Sequence, residues 1–234
     1  CIAFAVKRTA GRVPVIAGAG SNDTKYAEEL SKEAKNLGAD ALLHVTPYYN
    51  KTSQRGLITH FTRIADATDL PIILYNVPSR TGVNIKPETY RILSEHQNIV
   101  AAKEASGNIS QVAQVKAVCG EALEIYSGND DQIVPILSLG GKGVISVLSN
   151  VMPKETHDIC ALYLEGRTAE SAALQLQLLD FINHLFMDVN PIPVKEAMNL
   201  MGIDVGTCRS PLVKMEPSQI EKLAASMKAV GLPV

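Results

Sequence analysis

Residues 99–108 read IVAAKEASGN, an apolar run that passes through a lysine into a glycine turn. Such a run, bounded by turn residues, is typical of a strand buried on both faces. Lys103 is therefore expected at the carboxyl end of a buried strand, where loss of hydration lowers the pKa of an ammonium. A lysine that is partly neutral can attack a carbonyl and form a Schiff base. The simpler alternative is a strand-end lysine whose head reaches solvent or pairs with Glu104.

Strands and helices alternate along the chain on both sides of this stretch. Apolar runs begin near residues 13, 41, 71, 99, 123 and 143, and between them helical patterns occupy 24–37, 53–67, 87–96 and 109–119. This alternation predicts a parallel sheet with right-handed crossovers. Beyond residue 147 only helical patterns follow, at 153–165, 168–187, 193–201 and 217–230. We expect a partial (β/α) barrel over residues 1–166 and a C-terminal helical region over residues 167–234.

The glycines and the polar residues favour a barrel over an open sheet. Gly18-Ala19-Gly20 is followed by aspartate where a dinucleotide-binding turn needs its third glycine, and the glycines at 140–143 lack the spacing of a phosphate loop. The chemically useful side chains fall at strand carboxyl ends, where a barrel builds its site, at Thr46, Tyr49, Tyr75, Arg80, Lys103, Asn129 and Ser146. We therefore predict an α/β fold of the TIM-barrel type.

Composition and charge argue against several classes of function. The formal net charge is −2 and the pI is near 6.2, so no nucleic-acid partner is predicted. No stretch approaches the roughly 18 apolar residues of a membrane span, and no leader of signal-peptide form is recognisable. Four widely spaced cysteines without a CxxC motif predict free thiols in a reducing compartment. We expect a cytoplasmic protein with no membrane partner and no metal site.

The residues after the third predicted strand add chemistry to Lys103. Residues 75–82 read YNVPSRTG, which supplies a phenol at Tyr75 and a guanidinium at Arg80 in an expected Pro/Gly loop. The site would then hold an amine nucleophile, a phenol that can carry protons, and a guanidinium that can grip a carboxylate through two hydrogen bonds. Together these are the parts of a class I aldolase that acts on a keto acid.

Six motifs carry a resemblance to a known family: TPYYN at 46–50, YNVPSRTG at 75–82, KEASGN at 103–108, SGND at 127–130, GGKGVISV at 140–147 and NPIPVK at 190–195. The chain resembles the dihydrodipicolinate synthase family, within the N-acetylneuraminate lyase superfamily of class I aldolases. The resemblance implies condensation of pyruvate with aspartate semialdehyde to 4-hydroxy-tetrahydrodipicolinate, on the route to diaminopimelate and lysine. It further implies no cofactor and a homo-oligomer, either a dimer or a tetramer.

The resemblance implies catalytic roles for three residues. Lys103 would hold pyruvate covalently as a Schiff base. Tyr75 would relay protons to and from that intermediate. Tyr49 would reach across a dimer interface into the relay of the neighbouring copy.

Four further residues would bind substrate according to the same resemblance. Arg80 would hold a substrate carboxylate and position Tyr75. Ile145 would present its backbone carbonyl near pyruvate, and the pocket would be lined by Gly128 and Asn129. The lone histidine on the second predicted strand, His44, is interpreted instead as a core residue.

The chain departs from the family's pattern in the number of its βα units. The family's barrel has eight units and six are counted here, so we expect the first two to be absent. They would carry the GTTGE motif, whose threonines complete the proton relay and contact the pyruvate carboxylate. Without them the strands at 13–17 and 143–147 become edges with unpaired backbone groups, which invite association with other copies. We expect such a chain to be catalytically impaired.

Two alternative functions stay open from the sequence. A keto-sugar acid aldolase similar to N-acetylneuraminate lyase would keep the lysine and the tyrosine, but would not place an arginine at position 80. A non-catalytic barrel remnant could serve as a binding or assembly module. The absent GTTGE motif favours the remnant, whereas the joint presence of Lys103, Tyr75, Arg80 and Tyr49 favours an enzyme.

Overall fold

A computed structural model describes residues 1–234 and contains six strands and eleven α-helices. The strands form one sheet in the sequential order β1 to β6, and their bounds are β1 Ile16–Gly18, β2 Ala41–Val45, β3 Ile72–Asn76, β4 Ile99–Glu104, β5 Glu124–Ser127 and β6 Gly143–Val144. The helices are α1 Ile2–Thr9, α2 Thr24–Asn36, α3 Gln54–Asp66, α4 Pro78–Thr81, α5 Pro87–Leu93, α6 Ile109–Cys119, α7 Ile133–Ser138, α8 Pro153–Leu164, α9 Thr168–His184, α10 Ile192–Leu200 and α11 Pro217–Ala229. None of these helices combines the length and apolar character needed to cross a membrane.

The chain divides into two units, which are described separately. The first contains residues 1–126 and 139–142, and the second contains residues 127–138 and 143–234. The boundary expected from the sequence, at residue 166, stays a prediction.

In the first unit, strands β1 to β4 pair in parallel and each is followed by a helix. The turns between them start the helices with polar caps, since the side chains of Asp23, Ser53 and Asn108 accept hydrogen bonds from the first turns of α2, α3 and α6. The central strands are buried on both faces, as their apolar runs predict, through residues that include Leu42, Ile72, Leu74 and Ile99. This arrangement confirms the predicted α/β class and the six strands.

The second unit is built mainly from helices α7 to α11. Its core gathers apolar side chains from all five helices: Ile133, Leu137, Ile159, Leu178, Phe181, Ile182, Val194, Ala197, Leu223 and Met227. The predicted helices of this part of the chain are present with ends shifted by no more than a few residues. The four cysteines of the whole chain are free thiols, as predicted.

Three local expectations differ from the structure. β1 begins at Ile16 instead of Val13, because Pro14 has no N–H to donate and the N–H of Val15 bonds to the side chain of Asp40 at 2.7 Å. The segment around Arg80 forms the short helix α4 and is not a loop. Helix α7 was not predicted, since six residues that include Pro135 are too few to display a helical period.

His44 is a core residue, as predicted, and it has a second buried histidine nearby. Burial lowers the pKa of His44 to about 4, and the charge of His60 adds to the effect. Burial likewise lowers the pKa of His60 to about 4. Because Ser31 donates its hydroxyl hydrogen to the carbonyl of Ala27, its oxygen accepts from Nε2–H of His44, and Nδ1 is left without a partner. The pair is therefore neutral in the folded chain.

These two histidines should make the fold sensitive to acid. The unfolded chain binds a proton on each histidine below pH 6.5, whereas the folded chain does so only near pH 4, so stability is lost as the pH falls through this window. We expect each histidine to lower the free energy of unfolding by about 2 kcal/mol between pH 7 and pH 5, measured by urea unfolding followed by circular dichroism. His60→Gln should remove about half of the loss. His157→Gln, at an exposed histidine, should leave it unchanged, and equal acid sensitivity in both variants would contradict the assignment.

Candidate active site

Strands β3 and β4 place Tyr75 beside Lys103. The two residues are partners in the parallel register, and both are half-buried. Nζ of Lys103 lies 4.2 Å from the centroid of the Tyr75 ring, where the electrons of the aromatic face attract an ammonium. Burial raises the pKa of Tyr75, and the charge of Arg80 opposes that rise. The phenol is thus protonated at neutral pH and can donate a proton next to the amine.

Arg80 is held at this end of the sheet by helix α4. Pro78 starts the helix with its fixed φ, and Gly82 ends it at a φ of 70°. A side chain at Gly82 would be strained at that φ, and its Cβ would lie 2.7 Å from Cε of Lys51. Arg80 itself is exposed, and its guanidinium is close enough to lower the pKa of Tyr75. The structure therefore places Arg80 near Tyr75, which itself lies beside Lys103, and the roles of the three residues stay predictions.

A pair of buried threonines anchors α4 to the end of β2. Thr46 donates its hydroxyl hydrogen to Oγ1 of Thr81 at 3.0 Å. Oγ1 of Thr81 lies 3.1 Å from the carbonyl oxygen of Val83 and accepts from the N–H of the same residue at 3.2 Å. Thr46, one of the polar strand-end residues of the sequence, thus has a structural contact that holds the helix carrying Arg80.

Behind the Tyr75–Lys103 pair lies a buried polar network. Asn76 and Glu104 follow Tyr75 and Lys103 on the same strands and are themselves register partners. Nδ2 of Asn76 lies 3.1 Å from both carboxylate oxygens of Glu104, which also accept from Tyr90 Oη at 3.0 Å and from the N–H of Ser106 at 2.9 Å. Burial raises the pKa of Glu104, while these hydrogen bonds oppose the rise. Since Asn76, Tyr90 and Ser106 all donate to it, the network is built to hold a carboxylate.

The segment before α5 and helix α6 extend this network through two amide side chains. Asn84 accepts from Nδ2 of Asn76 at 2.8 Å and donates to Gln111 at 2.7 Å. The N–H of Ile85 donates to Oδ1 of Asn76 at 3.0 Å, which fixes the orientation of that amide. The ends of β3 and β4 are in this way tied to the helices that cover them.

Three of the predicted site residues belong to the second unit. The N–H of Ile145 donates to the carbonyl of Ser127 at 2.8 Å, and the hydroxyl of Ser127 donates to the carbonyl of Asn129 at 2.7 Å. Gly128 lies between them in the chain and is half-buried. The three residues are therefore neighbours within their own unit, and their roles toward substrate stay predictions.

Tyr49 lies in the segment that follows β2. Its side chain is 91% exposed, and its φ of 68° lies in the left-handed region that is uncommon for a tyrosine. The neighbouring loop residues are tied by hydrogen bonds from Asn22 to the carbonyl of Tyr48 and from Asn50 to the carbonyl of Asn22. The predicted reach of Tyr49 into a second copy stays a prediction. The structure contains no group of three or more metal-ligating side chains arranged to hold an ion.

Comparison with known proteins identifies the family. Residues 1–230 match the dihydrodipicolinate synthetase family. The 4-hydroxy-tetrahydrodipicolinate synthase of Caldicellulosiruptor bescii is 59% identical over 233 residues, which is all of this chain and 79% of that protein. The chain belongs to the dihydrodipicolinate synthetase family.

Solved structures of dihydrodipicolinate synthases agree with this membership. The enzyme from Aquifex aeolicus matches with a TM-score of 0.97 at 44% identity, over 100% of this chain and 80% of that one. The chloride-inhibited synthase from Acinetobacter baumannii, solved in complex with pyruvate, matches with a TM-score of 0.96 at 39% identity, over 99% and 79% of the two chains. The predicted partial barrel is thereby confirmed, as is the resemblance on which the site residues were chosen.

Within this dihydrodipicolinate synthetase family member, sequence reasoning missed the residues behind the pair. Asn76, Asn84, Tyr90 and Gln111 were not singled out, and Glu104 was considered only as a partner for Lys103. A signal was present, because side chains alternate along a strand and the residue after each catalytic candidate is polar. A polar residue that faces a covering helix needs hydrogen-bond partners there.

Proposed function

We propose that this chain catalyses the condensation of pyruvate with aspartate semialdehyde to 4-hydroxy-tetrahydrodipicolinate, in the synthesis of diaminopimelate and lysine. The observation that carries the proposal is the contact between the Lys103 amine and the Tyr75 ring, with Arg80 beside them. Membership of the family, at 59% identity to a curated synthase, supports the choice of substrates.

The proposed reaction begins at the amine of Lys103. The amine adds to the keto carbon of pyruvate and water leaves, which forms a Schiff base. Loss of a methyl proton then gives an enamine, whose carbon attacks the aldehyde of the second substrate. The amino group of that substrate displaces the lysine and closes the ring, so that the amine of Lys103 is regenerated.

Tyr75 and Arg80 would serve the steps that move protons and orient the substrate. The phenol of Tyr75 is protonated and adjacent to the amine, so it can donate to the departing hydroxyl and later recover the proton. Arg80 can grip a carboxylate through two parallel hydrogen bonds, which fixes the substrate's orientation. Tyr49 would complete the relay in a second copy of the chain, and its 91% exposed side chain is available for such a contact.

A keto-sugar acid aldolase is the second candidate function, and it differs from the proposed synthase in its substrate. We expect the protein to consume pyruvate only when aspartate semialdehyde is also supplied, and to release no pyruvate from N-acetylneuraminate. Mass spectrometry of the product and a coupled pyruvate assay measure both reactions. Release of pyruvate from the sugar acid, without condensation, would overturn the proposed synthase.

The remnant interpretation is tested by separating adduct formation from turnover. Schiff-base formation needs the Lys103 amine and a keto acid, whereas turnover also needs a complete proton relay. A chain that forms the pyruvate adduct but does not condense it would carry only the first half of the proposed function. A chain that does neither would favour the binding module.

A further inference from the structure

The apolar pattern of β4 does not by itself decide which way Lys103 faces. The strand reads IVAAKE, so adjacent apolar residues are similar in size: Ile99 resembles Val100, and Ala101 is followed by a second alanine, Ala102. A slip of the register by one residue would exchange the two faces of the strand with almost no change in buried apolar volume. It would also exchange Lys103 with Glu104, and so remove the amine from the side of Tyr75.

A bulge at the start of the β3–β4 pair shows that the register of these two strands changes along their length. Ile72 pairs with Ile99, but Ile73 pairs with Ala101, so Val100 is left without a partner and is 37% exposed. An extra residue in one strand allows the pairing beyond it to shift. Some contact at the carboxyl end of the strands must therefore select the pairing of Tyr75 with Lys103.

We propose that the hydrogen bonds between Asn76 and Glu104 form a register lock, which makes Glu104 a positioning residue for Lys103. The lock is specific for a carboxylate, since Asn76, Tyr90 and Ser106 all present donors to it. An ammonium in this place would face the N–H groups of Asn76 and Ser106, in a site that is 3% exposed. This inference deepens the proposed function, because the residue that it positions is the proposed Schiff-base lysine.

Two isosteric substitutions break the lock from opposite sides. In Glu104→Gln, one of the two oxygens that Nδ2 of Asn76 contacts becomes an amide nitrogen, so one acceptor is lost and a donor faces a donor in its place. In Asn76→Asp, the acceptor for Ile85 N–H is kept, but a carboxylate faces Glu104. The double variant restores a donor and acceptor pair between the strands with reversed polarity, and the amide of Asn84, whose oxygen accepts from Asn76, then turns its nitrogen toward the new carboxylate. Tyr90→Phe is the matched control, because it removes a hydrogen bond to the same carboxylate without touching the contact between the strands.

The readout is the reactivity of each lysine in the full chain toward an amine reagent, mapped by peptide mass spectrometry. Exposed Lys142 is the internal reference. We expect each single lock variant to lower Lys103 labelling about tenfold, and the double variant to recover it to within about threefold of the parent, as for contacting residues. Tyr90→Phe should lose stability yet label within about twofold of the parent.

Folded single variants that label Lys103 like the parent would overturn the register lock. If the single variants do not fold, the double variant decides. A folded double variant that labels Lys103 like the parent supports the lock. A double variant that does not fold, or that labels Lys103 poorly, overturns it. Labelling uses no pyruvate, so failure of the register lock can be distinguished from failure of the proposed function. Absence of a pyruvate adduct in the parent, with the labelling pattern intact, overturns only the proposed function.

Discussion

Replacing Lys103 with arginine should abolish the pyruvate adduct and lower the condensation rate by about 10⁴-fold or more, the scale of losing a covalent nucleophile. Arginine keeps the positive charge and a similar length, but its guanidinium does not deprotonate and cannot form the Schiff base. The cation can still lie against the Tyr75 ring, so the fold should be retained. The measurement is the rate of pyruvate consumption with aspartate semialdehyde in excess.

Lys142→Arg is the control for this substitution. Lys142 is exposed and follows the glycines at 140–141, away from any predicted role. We expect it to keep the parent rate. A Lys103→Arg variant that turned over at a rate near that of the Lys142→Arg variant would rule out the assignment of the covalent residue.

Replacing Arg80 with alanine should lower kcat/KM with aspartate semialdehyde by about a hundredfold, because a charged contact that orients the substrate is lost. Arg80→Lys should recover little of this loss, since an ammonium cannot reproduce the two parallel hydrogen bonds of a guanidinium. Arg80→Ala should also raise the pKa of Tyr75, because no positive charge at position 80 then opposes the effect of burial. Steady-state kinetics over a range of pH measure both effects.

Arg55→Ala, at an exposed arginine on α3, is the matched control and should leave kcat/KM unchanged. If Arg80→Ala kept near-normal activity with aspartate semialdehyde, the residue that separates the synthase from the keto-sugar acid aldolases would have no role. The choice between those two substrates would then need another explanation.

The fold could be predicted to the level of elements because apolar runs and polar turns alternate clearly. β4 begins at Ile99 as predicted, and α6 occupies the predicted Ile109–Cys119. Where the apolar pattern was weak, individual backbone atoms decided where an element begins. Pro14 cannot donate to the ladder, so β1 is shorter than its apolar run.

The candidate site could be predicted in part for a similar physical reason. Parallel strands bring their carboxyl ends to one edge, so Tyr75 and Lys103 could be expected at the same end of the sheet. The register that turns both side chains to the same face could not be predicted from the apolar pattern. The buried network behind them could not be predicted, because it depends on which helix residues reach Glu104. Tyr90 on α5 contacts Glu104 directly, whereas Gln111 on α6 joins the network through Asn84. Both contacts follow from packing angles that no local pattern records.

The assignment of Lys103 as the proposed covalent residue is tested most directly by mapping the adduct. The parent chain is incubated with pyruvate, reduced with borohydride, digested, and its peptides are analysed by mass. We predict one reduced pyruvate adduct, on the peptide that contains Lys103. An adduct on Lys142 or any other lysine, or no adduct at all, would contradict the account.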